Sequence, residues 1–451
     1  MSAQLAPIIV VRGPRQIGKT TAQYHAIEEL LAQRVEGRRI LRVQFDELAE
    51  LELFDSPILR IVDWYERTVL GCALNDAARA GSPAYVWLDE VQNLQAWAPQ
   101  LKSLVDSSTV QVVVTGSSAL RIEAGRDSLA GRITTIEAGT LSLTEIATLR
   151  GLDLGMPFLD DNGLEPLTHP AFWRELQAYG RARESIRDAA FSAFSDRGGY
   201  PMVHLRADVR WEEIADQLNE TVIKRVIQHD LRVGERGRKR DAPLLEEIFR
   251  QCCRYAGQAP SVRIFAREAQ RTLEANVGVQ RIQAYLRFLA DTLLLRLVPP
   301  LEIRLKRSRG NSKICLVDLG LRASWLQERI PLDPGQLREH PDLTVVAGHL
   351  AESVAGATLS TIPGLDIAHF PERSGEPEVD FVLTVGVRRI PIEVKYQARI
   401  DSLRDTEGLR TFIEKSVNRA TFGLLITQGP APEIEDPRII ALPLSSLMLL
   451  R

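Results

Sequence analysis

GPRQIGKT, residues Gly13–Thr20, is the stretch on which the reading of this chain turns. It follows the apolar run PIIVV (Pro7–Val11), and a helical pattern begins at about Lys19. The segment therefore fits G-x-x-x-x-G-K-[ST] with a strand before it and a helix after it. Gly13 and Gly18 let the backbone curl so that its N–H groups and the helix N-terminus face phosphates. On this reading the cradle is Gly13, Pro14, Arg15, Gln16, Ile17, Gly18, Lys19, Thr20 and Thr21. Lys19 reaches the outer phosphates of ATP, and the Thr20 hydroxyl holds Mg²⁺.

Further motifs follow in the order such chemistry needs. AYVWLDEV (Ala84–Val91) is an apolar run ending in two acids. A buried strand there delivers Asp89 to the Mg²⁺ shell and leaves Glu90 to activate a water. VQVVVTGSSAL (Val110–Leu120) ends in small polar residues, of which Thr115 or Ser117 would contact the γ-phosphate or the attacking water; a plain strand–turn–helix junction accounts for them equally well. Arg132, at the start of a later strand, is placed to reach a neighbouring subunit's nucleotide as an arginine finger. Strand-like and helical runs alternate between these motifs, including RRILRVQF and a helix from about Ile58 to Ala80. That alternation predicts a parallel sheet covered by helices.

Composition sets the bounds. The chain has 451 residues, too many for one ordinary core. Its net charge of −3 confines any nucleic-acid site to a local patch. No apolar run reaches the length of a membrane span, and the N-terminus lacks a charged region followed by an apolar core, so a cytoplasmic location and no membrane partner are expected. Cys72, Cys252, Cys253 and Cys315 show no CxxC spacing. They read as buried thiols in a reducing compartment, with neither a disulfide framework nor a zinc site.

GPRQIGKT, LDEVQ, TGSSA and LAGR, then GGYP (Gly198–Pro201), KICLVDLGL (Lys313–Leu321), EVDF and PIEVK, occur in this order along nearly the whole chain. Together they resemble the prokaryotic AAA+-type ATPases in which a phosphate-loop core precedes a C-terminal domain of unknown function. The resemblance implies ATP binding and hydrolysis, with Lys19, Thr20, Asp89, Glu90 and a polar sensor near Thr115 at the nucleotide. It also implies a helical lid, a winged-helix region and a restriction-endonuclease-like end. The expected fold is α/β: an AAA+-like parallel-sheet core at residues 1–150, a linker and helical lid at 151–241, a winged helix-turn-helix at 242–328, and a PD-(D/E)xK nuclease-like domain at 329–451. GGYP reads either as an ordinary interhelical turn or as a turn close to the nucleotide.

From Ala242 the segments LLEEIFRQCCRYA, VRIFAREAQRTL and GVQRIQAYLRFLADTL precede strand-like runs, the order of a winged helix. The third helix carries Arg281, Gln283 and Arg287 outside its apolar stripe. A ribbon formed by LEIRLKRS and NSKICLVDL would present Arg304, Lys306, Arg307, Arg309 and Lys313 to DNA, and RVGERGRKR (Arg232–Arg240) adds a second basic stretch. Docking of a protein partner is the rival use of such a region. Farther on, a helix containing Glu352, the hairpin EVDFVLTVGVRRIPIEVKY (Glu378–Tyr396), a helix and the strand FGLLIT give the order α-β-β-α-β. In a nuclease of that fold Asp380 and Glu393 bind Mg²⁺, and Lys395 stabilises the attacking hydroxide and the scissile phosphate. Glu393 and Lys395, two apart, share a strand face, and Glu378 shares that of Asp380. A surface hairpin with one charged face yields the same alternation.

The expected activity is thus an ATPase that assembles as a hexamer-like ring and remodels or translocates DNA, with metal-dependent cleavage as an additional expectation. The alternative is a nucleotide-gated regulatory or defence switch whose C-terminal half only docks DNA or protein.

Overall fold

The computed structural model describes residues 6–45, 54–94, 96–116, 129–159, 163–228, 241–274, 276–302, 310–372, 375–430 and 432–451. By contacts the chain divides into two units, Met1–Gly139 with Asp291–Leu293, and Thr140–Ala290 with Leu294–Arg451.

In the first unit β1 (Ile8–Arg12), β2 (Ile40–Gln44), β3 (Tyr85–Asp89), β4 (Gln111–Gly116) and β5 (Ile133–Glu137) form a parallel sheet in the order β2-β3-β4-β1-β5. The runs IIVV and VVVT are rich in β-branched residues, which suit a strand covered on both faces. Alternation assigns the faces. Ile8, Val10, Val86, Leu88, Val112 and Val114 join one cluster with Ile58 and Val62 of α2 (Pro57–Tyr65) and Leu101 and Leu104 of α4 (Trp97–Ser107). Ile9, Trp87 and Val113 pack on the other side with Leu30 of α1 (Lys19–Ala32). The expected helix from Ile58 to Ala80 is broken: a π-helical turn at Glu66–Leu70 ends at Gly71, and a short α3 (Leu74–Arg79) follows.

The second unit begins with α5 (Leu143–Leu149), started by a reciprocal capping box between Ser142 and Glu145. It continues through α6 (Pro170–Ala182), α7 (Glu184–Arg197), α8 (Pro201–Leu205), α9 (Trp211–Leu218) and α10 (Lys224–Gln228). Then come α11 (Ala242–Arg254), α12 (Val262–Leu273), α13 (Val279–Asp291) and the antiparallel ribbon of β6 (Leu295–Val298) and β7 (Lys313–Leu316). The first ribbon strand is therefore LRLV, one segment earlier than the LEIRLKRS expected from sequence.

After α14 (Leu319–Leu326), α15 (Pro334–Glu339) and α16 (Thr344–Leu359) comes a mixed five-stranded sheet. It contains β8 (Asp366–Phe370), β9 (Val379–Val385), β10 (Arg388–Lys395), β11 (Gly423–Thr427) and β12 (Ile439–Pro443), with α17 (Glu407–Glu414) between β10 and β11 and α18 (Leu444–Leu447) after β12. β8, β9 and β10 pair antiparallel, and β10, β11 and β12 pair parallel. β8 adds a strand to the expected order. Val379, Val382, Leu409, Phe412 and Leu425 lie in its core.

Three of the four cysteines are buried, but Cys72 is exposed, contrary to the expectation for all four. No helix among the described residues is long and apolar enough to cross a membrane.

Candidate functional site

The carboxyl ends of parallel strands are where open α/β sheets present ligand groups, and the first unit gathers its polar residues there. Gly13 follows β1 directly. A Cβ on it would lie 2.4 Å from the Ala138 carbonyl oxygen and 2.4 Å from Ile17 Cδ1, so the loop runs too close to the end of β5 for any side chain. Gln16 (φ 63°) and Gly18 (φ 91°) take left-handed conformations that turn the chain into α1. Lys19 is buried, and its Nζ donates to the carbonyls of Gly13 (3.0 Å) and Pro14 (2.7 Å).

Asp89, fully buried at the end of β3, is the hub. Its Oδ2 accepts from Thr20 Oγ1 (2.9 Å) and Arg42 Nη2 (3.0 Å), and its Oδ1 accepts from Thr115 Oγ1. Gln23, one turn along α1, donates to Thr115 Oγ1 (3.2 Å) and accepts from Arg42 Nε (3.3 Å). Thr20 and Thr115, 95 residues apart in sequence, thus meet on the Asp89 carboxylate, while Lys19 beside Thr20 is held by the loop carbonyls. Arg42 and Gln23 belong to the same network and were missed by sequence reading. The signal was present: Arg42 is a cation inside the otherwise strand-like ILRVQ, and Gln23 stands four residues after Lys19 on the same helix face.

Glu90 has φ 52° and ψ 39°, a conformation that disfavours any residue with a Cβ and is found preferentially where function demands it. Ser117 lies outside the described residues. Arg132 is held by Asp106, through Nε (2.5 Å) and Nη2 (3.0 Å), and this pair keeps the Asp106 carboxyl below its ordinary range. The donor set suits Mg²⁺, a hard cation that takes oxygen ligands: a buried carboxylate and a hydroxyl sit beside a glycine loop and the N-terminus of a 14-residue helix. Thr20 and Asp89 would hold the ion, with Gly13–Thr21 around the phosphates.

A second polar cluster lies in the C-terminal sheet; it brings together Glu352, Glu378, Asp380, Glu393 and Lys395 as expected, and adds Lys313. Asp380 on β9 and Glu393 on β10 are both buried. Lys313, expected at a ribbon tip facing DNA, is instead among the most buried side chains in the protein, 1% exposed. As the first residue of β7, whose four residues are all buried, it cannot reach solvent. Its ammonium donates to Asp380 Oδ1 (2.7 Å) and Glu352 Oε2 (2.8 Å), lies 3.8 Å from Glu378 Oε1, and sits 5.1 Å from the centre of the Phe381 ring. Asp380 Oδ2 accepts from the Val394 backbone N–H (2.9 Å), and Lys395 Nζ donates to Glu393 Oε1 (2.6 Å).

Burial alone would discharge Lys313, but the two carboxylates outweigh it and hold the ammonium charged well above its ordinary pKa. Burial would likewise raise Asp380; the Lys313 ammonium beside it holds the carboxyl below its usual range. Glu393 is pushed up to about 8, by burial first and then by the neighbouring Asp380 charge, against the attraction of Lys395. Both oxygens of Asp380 thus accept hydrogen bonds, Oδ1 from the Lys313 ammonium and Oδ2 from the Val394 N–H. Among the described residues no group of three or more His, Cys, Asp or Glu is arranged to hold a metal ion.

Of the residues expected at nucleic acid, Arg281, Gln283 and Arg287 lie exposed on α13. Arg281 also makes a 3.3 Å bond to Asp241. Arg304, Lys306, Arg307 and Arg309 lie outside the described residues, as does the second basic stretch, Arg232–Arg240.

GGYP is accounted for by a third buried group, Asp318. Its carboxylate accepts from the backbone N–H groups of Gly199 (2.5 Å) and Gly320 (2.7 Å), tying the end of α7 to the start of α14. Burial raises its pKa to about 7, against the pull of these N–H donors.

Three stretches of the chain match known families. Residues 190–329 match a domain of unknown function (DUF8612), and residues 347–447 match another (DUF4143). No curated protein matches the chain. Similar solved structures include the Walker-type ATPase PABY2304 of Pyrococcus abyssi, at 15% identity and a TM-score of 0.37, covering 71% of this chain and 91% of that one. They also include the Drosophila ORC bound to DNA, at 15% identity and a TM-score of 0.24, covering 65% of this chain and 82% of that one. Residues 6–147 match the family described as AAA domain, and this part of the chain is a P-loop ATPase domain of the AAA type.

Proposed function

We propose that the protein is an ATP-hydrolysing, ring-forming AAA-type ATPase that binds DNA and remodels or translocates it. The observation that carries the nucleotide part is the convergence of the Thr20 and Thr115 hydroxyls on the buried Asp89 carboxylate, beside the Gly13–Thr20 loop. Magnesium, when bound with ATP, supplies charge neutralisation at the phosphates. The chain's own residues do the rest. Lys19 exchanges the Gly13 and Pro14 carbonyls for phosphate oxygens. Thr115, oriented by Gln23, fixes Asp89, while Glu90 accepts the proton of the attacking water. Arg132 serves a neighbouring subunit's nucleotide once it exchanges Asp106 for phosphate.

The DNA part is supported by the order of α11, α12, α13 and the β6–β7 ribbon, which is that of a winged helix, and by the exposed Arg281, Gln283 and Arg287. The test is ATP turnover by the full chain with and without duplex, single-stranded and branched DNA, across a salt series. Stimulation that weakens steeply with salt is expected. Turnover indifferent to every DNA form refutes DNA as the partner. A nucleotide-gated switch would then stand in its place, with the C-terminal half as a non-catalytic docking module. The internal Lys313 cation favours that account of the C-terminal half.

A further inference from the structure

Three carboxylates, Glu352 on α16, Glu378 just before β9 and Asp380 on β9, surround a single ammonium delivered from a different element, β7. Acids gathered on a buried sheet face must be neutralised by hydrogen-bonded cations, and a metal or a basic side chain does this equally well. Here Lys313 is fixed by its strand: Ile314 and Cys315 beside it are buried, its backbone pairs with Val298, and the Phe381 ring closes one side. A divalent ion placed at Asp380 would face this ammonium across a few ångströms of low-dielectric interior, where like charges repel strongly.

We infer that Lys313 is the resident cation of this carboxylate cluster, taking the place of a divalent metal, so that the C-terminal sheet is a metal-independent, non-cleaving module latched ionically to the β6–β7 ribbon. Asp380 and Glu352 are then structural partners of Lys313, and substitution of Lys313 opens a metal site that the native chain lacks. The latch concerns the second unit alone and does not depend on ATP turnover.

The test uses Mn²⁺, read by its electron paramagnetic resonance signal, on the nucleotide-free full chain and its variants. Wild type and Asp380→Asn are expected to bind the same amount of Mn²⁺, and neither cuts linear or branched DNA in its presence. Lys313→Ala is expected to bind additional Mn²⁺ and to gain melting temperature from it. Mn²⁺ binding or DNA cleavage by wild type that Asp380→Asn abolishes would overturn the inference, as would a folded Lys313→Ala that gains no Mn²⁺. Should Lys313→Ala not fold, thermal unfolding of Lys313→Met with and without Asp380→Asn decides. The double variant, which strands no carboxylate at position 380, is expected to melt higher than Lys313→Met. A double variant no more stable than the single one refutes the latch.

Discussion

Gly198→Ala is expected to be among the most damaging single-methyl additions in the second unit. Gly198 has φ 78° and ψ −161°, a region that only glycine enters comfortably, so an alanine there costs roughly 1–3 kcal/mol in backbone strain. Its Cβ would also lie 2.3 Å from Asp318 Oδ1 and 2.7 Å from the Gly320 nitrogen. Asp318 is buried, so it relieves the clash only by releasing the Gly199 and Gly320 N–H groups. Each donor left unsatisfied costs about 1–3 kcal/mol. The sum is at least about 3 kcal/mol, a large part of the ~5–15 kcal/mol that holds a typical domain folded. Amide hydrogen exchange in α7 and α14 reads this loss in the unit concerned, beside denaturant unfolding of the whole chain. Gly348→Ala is the control: it lies within α16 with nothing within 4 Å of the added methyl, and should stabilise by about 0.5–1 kcal/mol. Protection of α7 and α14 in Gly198→Ala within about 1 kcal/mol of the parent would refute the Asp318 clasp.

Four further outcomes follow from the geometry. Lys19→Ala should lower ATP turnover by on the order of 10²-fold or more while the fold persists, since the ammonium donates to carbonyls of the loop it would leave for phosphate; turnover near wild type would remove Lys19 from the site. Arg42→Ala should destabilise the first unit by roughly 1–3 kcal/mol, because the buried Asp89 loses a charged donor; an unchanged melting curve would show that Arg42 is dispensable. His204 is buried, which lowers its pKa to about 4, with Nε2 at the Gly198 carbonyl and Nδ1 facing the Arg150 guanidinium. The unfolded chain therefore binds the extra proton between about pH 6.5 and 4, so the neutral ring's contribution is intact above 6.5 and is lost as pH falls through that window. Unfolding of wild type against His204→Gln should accordingly show a stability difference that shrinks by on the order of 3 kcal/mol on acidification through that window, whereas a pH-independent difference would contradict the assignment. Arg281→Ala with Arg287→Ala, both exposed, should leave folding intact and flatten the salt dependence of DNA binding by about 0.9 in log–log slope per lost phosphate contact; an unaltered slope would take α13 out of the interface.

The candidate nucleotide site was legible as a cluster because its logic is local. The loop is contiguous, and Asp89 and Thr115 each close an apolar run that fixes them at the carboxyl end of a strand. What stayed hidden depends on pairings across the fold. Asp318 and Gly199 are 119 residues apart, and nothing in GGYP or VDLGL alone announces that one caps the other. β8 escaped notice because DIAHF is short and opens with an exposed acid, the mark of an edge strand more than of a core one. Arg42 reads as an outward-facing strand residue until Asp89 is placed beside it.

Lys313 shows where the reasoning from charge patterning fails. The run RLKRSRGNSK has no acid in it, and clusters of that kind are ordinarily solvated and available to phosphates. Lys313 belongs to the run by sequence but to β7 by register, opposite Val298, and all of KICL is buried. A strand covered on both faces gives a charged residue no solvent-facing position, so its charge must be met by acids from elsewhere. Those acids, Glu352 and Asp380, lie 39 and 67 residues later, in a helix and a strand of which only the strand was expected to carry a metal ligand. The two features therefore meet in one place: Lys313 leaves the basic run for the interior, where the carboxylates of Glu352 and Asp380 accept from its ammonium.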